Sequence, residues 1–175
     1  MITKNILQAY DQFLQKQGLQ LEAIIVGGTA LNLLGYISRQ TRDVDIIAPE
    51  LSEELRQASK EFAKTIPNLW EEWLNNGPAS LTDILPKDWE DRLQRSFQGK
   101  ALKLQILGRT DLLKTKLFAY CDRGTDFADC VAMSPTIVEL EDALDWVIQQ
   151  DANSLWPDHV RNSFEALKKR LGHGT

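Results

Sequence analysis

Two short apolar runs, one ending in glycines and one beginning with aspartates, most constrain what this chain can fold into. Leu21 to Val26 reads LEAIIV and runs directly into Gly27, Gly28 and Thr29. An apolar run that ends in glycines predicts a buried strand entering a tight turn. Asp43 to Ala48 reads DVDIIA, which predicts a half-buried strand. Because side chains alternate along a strand, both of its carboxylates are expected on one face.

The glycine turn and the aspartate pair together predict a site for a phosphate compound held with a metal ion. Gly27 and Gly28 let the backbone approach a ligand closely, and a helix starting near Thr29 favours an anion through its first N–H groups. The Thr29 hydroxyl is a further donor. Asp43 and Asp45 are hard oxygen ligands of the kind that Mg²⁺ takes beside substrate phosphates. Each feature alone is more often a plain turn or a solvated strand, but their joint spacing favours a site.

These segments resemble the nucleotidyltransferase fold of the DNA polymerase β superfamily, whose pattern is Gly-Gly or Gly-Ser, a spacer and Asp-x-Asp. Gly28 and Thr29 stand at the first motif, and Asp43 and Asp45 at the second. GGTALNLLGYISRQTRDVDII followed by LLKTKLFAYCDRGTDFADC is most similar to AbiEii-like and related uncharacterised bacterial nucleotidyltransferases. The resemblance implies an α+β fold in which helices pack on a mixed β-sheet and a helical C-terminal portion follows.

The resemblance also implies roles for residues outside the two motifs. Arg39 and Thr41 match an Arg-x-Thr-x-Asp-x-Asp arrangement in which the arginine holds the loop or steers nucleotide. Lys116 is the candidate for a phosphate or base-proximal contact, although a solvated helix lysine is an equal interpretation. Arg123 lies on nearly the same helix face and is grouped with it as a nucleotide-binding residue. Asp126 and Asp129 either share that pocket or serve as capping or surface acids.

One position departs from the pattern of active members of the superfamily, which commonly add a third carboxylate from a later strand. In LKLQIL the polar side offers Gln105, whose carbonyl oxygen can bind a metal but cannot act as a base at neutral pH. The third acid would then come from Asp83, Asp126 or Asp129, a choice that the sequence leaves open. This departure argues against turnover but not against the fold.

The expected function is Mg²⁺- or Mn²⁺-dependent transfer of NMP from an NTP to a hydroxyl of an RNA, a protein or a small molecule. Asp43 and Asp45 would be the catalytic metal ligands, and Gly27, Gly28, Thr29, Arg39, Lys116 and Arg123 would contact nucleotide. The alternative is a catalytically inactive nucleotide-binding or protein-interaction module with a partner protein, as in the toxin–antitoxin pairs that the resemblance implies. A third interpretation is a structural domain with a fortuitous aspartate pair.

Bulk properties narrow the classes of partner. The 175 residues suit one compact unit, with a core over 1–108 and a helical portion over 109–175 packed on it. A net charge of −5 argues against an extensive nucleic-acid surface, although a local basic groove stays open. The sequence offers neither a membrane-spanning run nor a signal-peptide core, so we expect no membrane contact and a cytoplasmic location. Cys121 and Cys130 are expected to be buried, idle thiols.

The remaining patterns predict helices over 6–16, 29–34, 53–65, 68–76, 111–122, 126–132, 136–150 and 157–171, and a hairpin of 93–97 with 101–107. A capping box of Thr136 and Glu139 starts the seventh helix, and Pro157 the eighth. The five tryptophans are expected in the core, although Trp70 and Trp73 could instead line a cleft.

Overall fold

The computed structural model describes residues 2–173, and the chain divides into two compact units, Met1–Gly108 and Arg109–Thr175. The first unit contains a five-stranded mixed sheet, and the second is helical. The predicted α+β class, with helices on a mixed sheet and a helical C-terminal portion, is therefore confirmed. No helix in residues 2–173 combines the length and apolar character that crossing a membrane requires.

The sheet of the first unit brings the two motif-bearing strands side by side. Its strands are β1 (Leu21–Val26), β2 (Val44–Ala48), β3 (Leu74–Asn75), β4 (Gln94–Gln98) and β5 (Leu102–Ile106), in the order β3-β2-β1-β5-β4. β1 pairs antiparallel with β2 and parallel with β5, while β2 and β3 are parallel. β4 and β5 form the predicted antiparallel hairpin. The end of β1 and the start of β2 consequently lie together, with Val26 opposite Asp45.

Three helices flank this sheet: α1 (Lys4–Gln17), α2 (Gly27–Leu33) and α3 (Glu53–Thr65). Helix α1 ends at Gly18, whose φ of 69° fits the left-handed cap that glycine favours. Within α1, buried Asp11 accepts hydrogen bonds from the backbone N–H groups of Ala101 and Leu102, both at 2.7 Å. Burial works to raise the pKa of Asp11, but these N–H donors outweigh it and hold that pKa below its ordinary value.

The segment between α3 and β3 corrects the prediction of a helix over 68–76. It is a series of turns that ends in the short strand β3, which pairs with β2. Asn68 has a φ of 60°, outside the helical region, and the Trp73 carbonyl accepts a hydrogen bond from the Val44 N–H at 2.6 Å. Pairing with a strand distant in sequence therefore overrides the local helical periodicity. Two 3₁₀ turns, Ala79–Asp83 and Trp89–Arg92, follow.

The second unit consists of α4 (Arg109–Arg123), α5 (Phe127–Met133), α6 (Ile137–Ile148) and α7 (Trp156–Leu171). The predicted capping box is present: the Glu139 N–H bonds the Thr136 hydroxyl, and the Glu139 carboxylate accepts from the Thr136 N–H at 2.9 Å. Arg109 Nε also donates to Glu139, at 2.6 Å. The hydrogen bond from this arginine lowers the pKa of Glu139 to about 2. Burial acts in the opposite direction, and the Thr136 N–H adds to the lowering.

Candidate nucleotide and metal site

The turn after β1 requires glycine at its first position. Gly27 has a φ of +74°, and a Cβ atom placed there would overlap the carboxylate of Asp45. At Gly28 a Cβ would come within 2.9 Å of Thr41 Cγ2 and 3.5 Å of Arg39 Nη2. Each glycine therefore lets the turn pack directly against a predicted site residue of the neighbouring strand and the loop before it.

Asp43 and Asp45 face one cleft, as their alternation in sequence predicts. Asp43 directly precedes β2, and Asp45 is its second residue. The cleft has a volume of about 730 Å³, which lies within the roughly 300–1,000 Å³ typical of small-molecule sites. Its other polar lining includes Glu50, Arg56, Glu72, Asn75, Asn76 and Thr82. Among residues 2–173, no hydrogen bond or ion pair engages the Asp43 carboxylate.

Thr29 and Thr41 hold the backbone of Asp43 through a buried chain of hydrogen bonds. The Thr29 hydroxyl donates to the Asp43 carbonyl at 2.6 Å, so Thr41 Oγ1, 2.7 Å away, must donate to Thr29 Oγ1. The exposed fractions are only 2% for Thr29 and 4% for Thr41. In this arrangement the proton of the Thr29 hydroxyl is used to position Asp43, and a contact between Thr29 and phosphate stays a prediction.

Arg39 brings a guanidinium group to the glycine turn. Its nitrogens lie 3.5 and 3.6 Å from the position that a Gly28 Cβ would occupy. Asn32 Nδ2 donates to the Arg39 carbonyl at 3.0 Å, which ties the arginine loop to the end of α2. Asp45 lies against Gly27 and Arg39 against Gly28, so an acidic and a basic side chain meet adjacent positions of the same turn.

Two asparagines that the sequence prediction missed organise the cleft. Asn75 Nδ2 lies 3.4 Å from Asp45 Oδ1, and Asn75 Oδ1 accepts from the Gly77 N–H at 2.8 Å. Asn76 donates to the carbonyls of Ile46 and Pro49 and accepts from Leu51 N–H. These contacts fix the end of β2 and orient Asp45. The signal available in sequence was the pair of amides before Gly77-Pro78, in a segment assigned to a helix.

The donor set suits Mg²⁺ or Mn²⁺ when the substrate supplies further ligands. Two carboxylates share the cleft, and Mg²⁺ commonly binds one or two carboxylates together with substrate phosphates and water. Residues 2–173 contain no group of three or more His, Cys, Asp or Glu side chains that could hold a metal ion. The described residues therefore fit an ion that arrives with a phosphate compound better than an ion caged by protein alone.

Gln105 and Asp83, two positions considered for the third metal ligand, have different surroundings. Gln105 in β5 lies opposite Ile24 of β1, so it is two strands away from Asp45. Asp83 is exposed at the end of a 3₁₀ turn. The sequence also gave no indication of Glu50 and Glu72, which line the aspartate cleft. Among residues 2–173, none of these acids forms a group of three with the aspartate pair that could hold a metal ion.

Lys116 lies in a buried ion cluster of the second unit. Its Nζ contacts Asp126 Oδ1 at 2.7 Å and Asp129 Oδ2 at 2.8 Å, and Arg123 contacts Asp126 at 3.3 Å. The exposed fraction of Lys116 is 7%, so the interpretation as a solvated helix lysine is wrong. Burial alone would lower the pKa of Lys116, but the two carboxylates outweigh it and raise that pKa. A phosphate contact of Lys116 or Arg123 stays a prediction.

The two cysteines are free and buried, as expected. Burial raises the pKa of Cys121 to about 11 and that of Cys130 to about 12. Both thiols therefore stay protonated at neutral pH, which makes them poor nucleophiles and poor metal ligands.

The chain matches a known family over most of its length. The family is described as "Nucleotidyltransferase of unknown function (DUF6036)", and its model matches residues 4–146. The protein therefore belongs to this nucleotidyltransferase family. The match includes the glycine turn, the aspartate cleft and the Lys116 ion cluster. No curated protein and no solved structure matched the chain.

Proposed function

We propose that this protein is a nucleotidyltransferase that transfers NMP from an NTP to an acceptor hydroxyl, with Mg²⁺ or Mn²⁺ bound by Asp43 and Asp45. The observation that carries the proposal is that both aspartates line one cleft directly beside the glycine turn. Membership of a nucleotidyltransferase family supports the reaction class. The acceptor class is RNA, protein or a small molecule, and the proposed location is the cytoplasm.

The residues around the cleft would position the two carboxylates and attract the negatively charged triphosphate. Thr29 and Thr41 fix Asp43, and Asn75 orients Asp45, so the two carboxylates are prepared before substrate arrives. Arg39 beside Gly28 would attract the triphosphate. A bound divalent ion would neutralise phosphate charge and favour attack by the acceptor hydroxyl. In the overall reaction the acceptor oxygen bonds to the α-phosphorus, its proton is lost, and pyrophosphate leaves.

The experiment is a transfer assay with each of the four NTPs labelled at the α-phosphate. Purified protein is incubated with Mg²⁺ and, separately, with total RNA, a protein mixture and a set of small polyols. We expect label to enter one acceptor class, and we expect Asp45→Asn to abolish that transfer. Glu72→Gln is the matched control, because Glu72 lines the same cleft outside the aspartate pair. Label that enters the acceptor equally well with Asp45→Asn would overturn the assignment.

A second candidate is an inactive module that binds nucleotide or a partner protein, as in a toxin–antitoxin pair. The observation that favours it is that residues 2–173 offer no grouping of three potential metal-binding acids. This candidate predicts that Mg²⁺-dependent NTP binding is measurable by calorimetry while label is never transferred to any acceptor. Transfer that depends on Asp45 excludes it.

A further inference from the structure

In the loop between α3 and β3, Trp70 points toward solvent, whereas Leu69 before it and Trp73 after it are buried. Leu69 is buried, and Trp73 has an exposed fraction of 0%. The Trp73 indole donates to the Ser59 carbonyl at 3.3 Å and meets the Tyr10 ring edge-on, with 5.0 Å between ring centroids. Because both flanking side chains point into the core, Trp70 is turned toward solvent, and a hydrogen bond from Trp73 N–H to its carbonyl closes the turn.

Trp70 differs from the other large hydrophobic residues of the first unit. Its exposed fraction is 53%, whereas Trp89 is only 8% exposed. Within residues 2–108, it is the one large hydrophobic side chain that is exposed, and its ring stacks on no aromatic side chain of the described residues. A single exposed hydrophobic residue needs no explanation by itself. This ring, however, lines the cleft that contains the two aspartates.

Trp70 and Asp43 together border two adjoining clefts. The first is the 730 Å³ aspartate cleft, and the second, of about 920 Å³, is lined by Thr3, Ile6, Arg42, Pro67 and Asn68 as well. The indole and the carboxylate proposed to hold the cation therefore line the same two clefts. A nucleoside triphosphate has a charged end that needs the cation and a flat, uncharged end that an aromatic face can bind.

The charges that line the first cleft affect the two ends of the ligand differently. Asp43, Asp45, Glu50 and Glu72 line the first cleft, and Arg56 there pairs with Glu50 at 3.1 Å. Phosphate groups without a cation are repelled by this lining, whereas a neutral base is not. Arg39 lies at the glycine turn and is not among the residues that line the two clefts. A triphosphate held through a cation at Asp43 and Asp45, beside the glycine turn, leaves the exposed aromatic surface at Trp70 for the base.

We propose that the Trp70 indole is the stacking surface for the base of the bound nucleoside triphosphate. The inference rests on the proposed function, because it uses Asp43 and Asp45 as the anchor of the metal-bound triphosphate. Stacking on an indole uses the π-face that every base has, so Trp70 binds all four bases. Purines present the larger face and therefore depend on Trp70 more than pyrimidines do.

The test is calorimetric titration, in Mg²⁺, of non-hydrolysable analogues of ATP and CTP, with inorganic tripolyphosphate as the ligand that lacks a base. Trp70→Ala is expected to weaken binding of the ATP analogue about five- to 150-fold, corresponding to the loss of one base–aromatic stack, and to weaken the CTP analogue less. Tripolyphosphate affinity is expected to stay unchanged. Trp70→Phe should retain most of the affinity because it keeps an aromatic face.

Glu71→Ala is the matched control, since Glu71 is the exposed neighbour of Trp70 and the Trp70 ring is unaltered. Intrinsic fluorescence gives a second readout: the ATP analogue should quench the wild type and Glu71→Ala, and this quenching should be lost in Trp70→Ala. Urea unfolding checks that each variant is folded.

Equal loss of tripolyphosphate and nucleotide affinity in Trp70→Ala would overturn the stacking role, and so would unchanged nucleotide affinity. If tripolyphosphate still binds in a manner that needs Asp45, the proposed function survives that result. If the wild type binds neither the analogues nor tripolyphosphate, the proposed function and this inference fail together.

Discussion

Gly27 and Asp45 show how single residues determine this site. The turn needs a positive φ at Gly27, and the absence of a Cβ there makes room for the Asp45 carboxylate. The sequence alone predicted the glycine turn and the shared face of both aspartates, because strand alternation and turn chemistry are local properties. It missed Asn75 as the partner of Asp45, because that contact depends on the pairing of β3 with β2.

Gly27→Ala should damage both stability and the site. Gly35→Ala is its control, because Gly35 has a φ of +80° and an added Cβ would meet nothing within 4 Å. We expect Gly35→Ala to cost about 1–2 kcal/mol of unfolding free energy from backbone strain alone. Gly27→Ala should cost more and abolish Mg²⁺-dependent nucleotide binding, as measured by urea unfolding and calorimetry. Equal stability losses, with nucleotide binding intact in both variants, would contradict this account of the turn.

Thr29→Val tests the hydroxyl chain that holds Asp43. The substitution keeps the side-chain shape but leaves the half-buried Asp43 carbonyl and the buried Thr41 hydroxyl without this partner. We expect a loss of about 1–3 kcal/mol in unfolding free energy, together with weaker nucleotide binding. Thr65→Val is the control, because the Thr65 hydroxyl bonds a carbonyl of its own helix at an exposed position. Its urea midpoint should shift little, and a loss as large as that of Thr29→Val would argue against a special role for Thr29.

At the scale of elements, local patterns predicted most helices and strands correctly. They were wrong where pairing with a strand distant in sequence determines the secondary structure. Ser52 caps α3, Gly18 ends α1 and the Thr136 capping box starts α6, all close to the expected positions. The helix predicted over 68–76 does not form, because the Val44 N–H bonds the Trp73 carbonyl across the sheet. For the same reason the sequence did not predict that Trp70 points outward, because a side chain's direction in a helix follows from its position in the helical repeat and in this loop it does not.

The helices of the second unit depend on the charge balance around Lys116. Removing the ammonium in Lys116→Met leaves two carboxylates, exposed by only 12% at Asp126 and 5% at Asp129, without this partner. We expect a loss of about 3–5 kcal/mol in unfolding free energy at neutral pH. Lys114→Met is the control, because its partner Asp142 has a side chain that is 57% exposed. That variant should lose about 1 kcal/mol or less.

The cost of Lys116→Met should shrink in acid. Burial works to raise the pKa of Asp126, but Lys116 outweighs it and holds that pKa below its ordinary value of 3.8. The wild-type pair therefore stabilises the fold above that value and loses this contribution as the pH falls through the lowered pKa. Protonation of these carboxyl groups also relieves the repulsion between Asp126 and Asp129 in Lys116→Met. Urea unfolding across this pH range should show the two proteins converging, and a constant difference would contradict the assignment.

At the scale of the whole molecule, several native carboxylates make the fold sensitive to acid. The pKa of Glu139 is lowered from its ordinary 4.5 to about 2, and the pKa values of Asp11 and Asp126 are lowered as well. Their stabilising contributions are complete above the ordinary values and are lost as the pH falls toward the lowered ones. The overall composition gave no sign of this, because it depends on which N–H groups and cations the fold places beside each acid.

Glu139→Gln should lower stability at neutral pH by about 1–2 kcal/mol, because it weakens the capping box and removes the charge that Arg109 contacts. The deficit should fade as the pH is lowered from 4.5 toward about 2, where the wild-type carboxyl also becomes protonated. Glu141→Gln, an exposed position on the same helix, is the control and should follow the wild type. Urea unfolding at stepped pH measures both, and a deficit that is independent of pH would contradict the role of the Glu139 charge.

The central claim is that Asp43 and Asp45 hold the divalent ion through which nucleotide binds. Its most direct measurement is calorimetric titration of a non-hydrolysable NTP analogue into the wild type, the double variant Asp43→Asn/Asp45→Asn and the control Glu72→Gln, each with Mg²⁺ and with EDTA. We predict binding that requires Mg²⁺, survives in Glu72→Gln and is lost in the double variant. Binding by the double variant with wild-type affinity, or equal wild-type binding in EDTA, would contradict the claim.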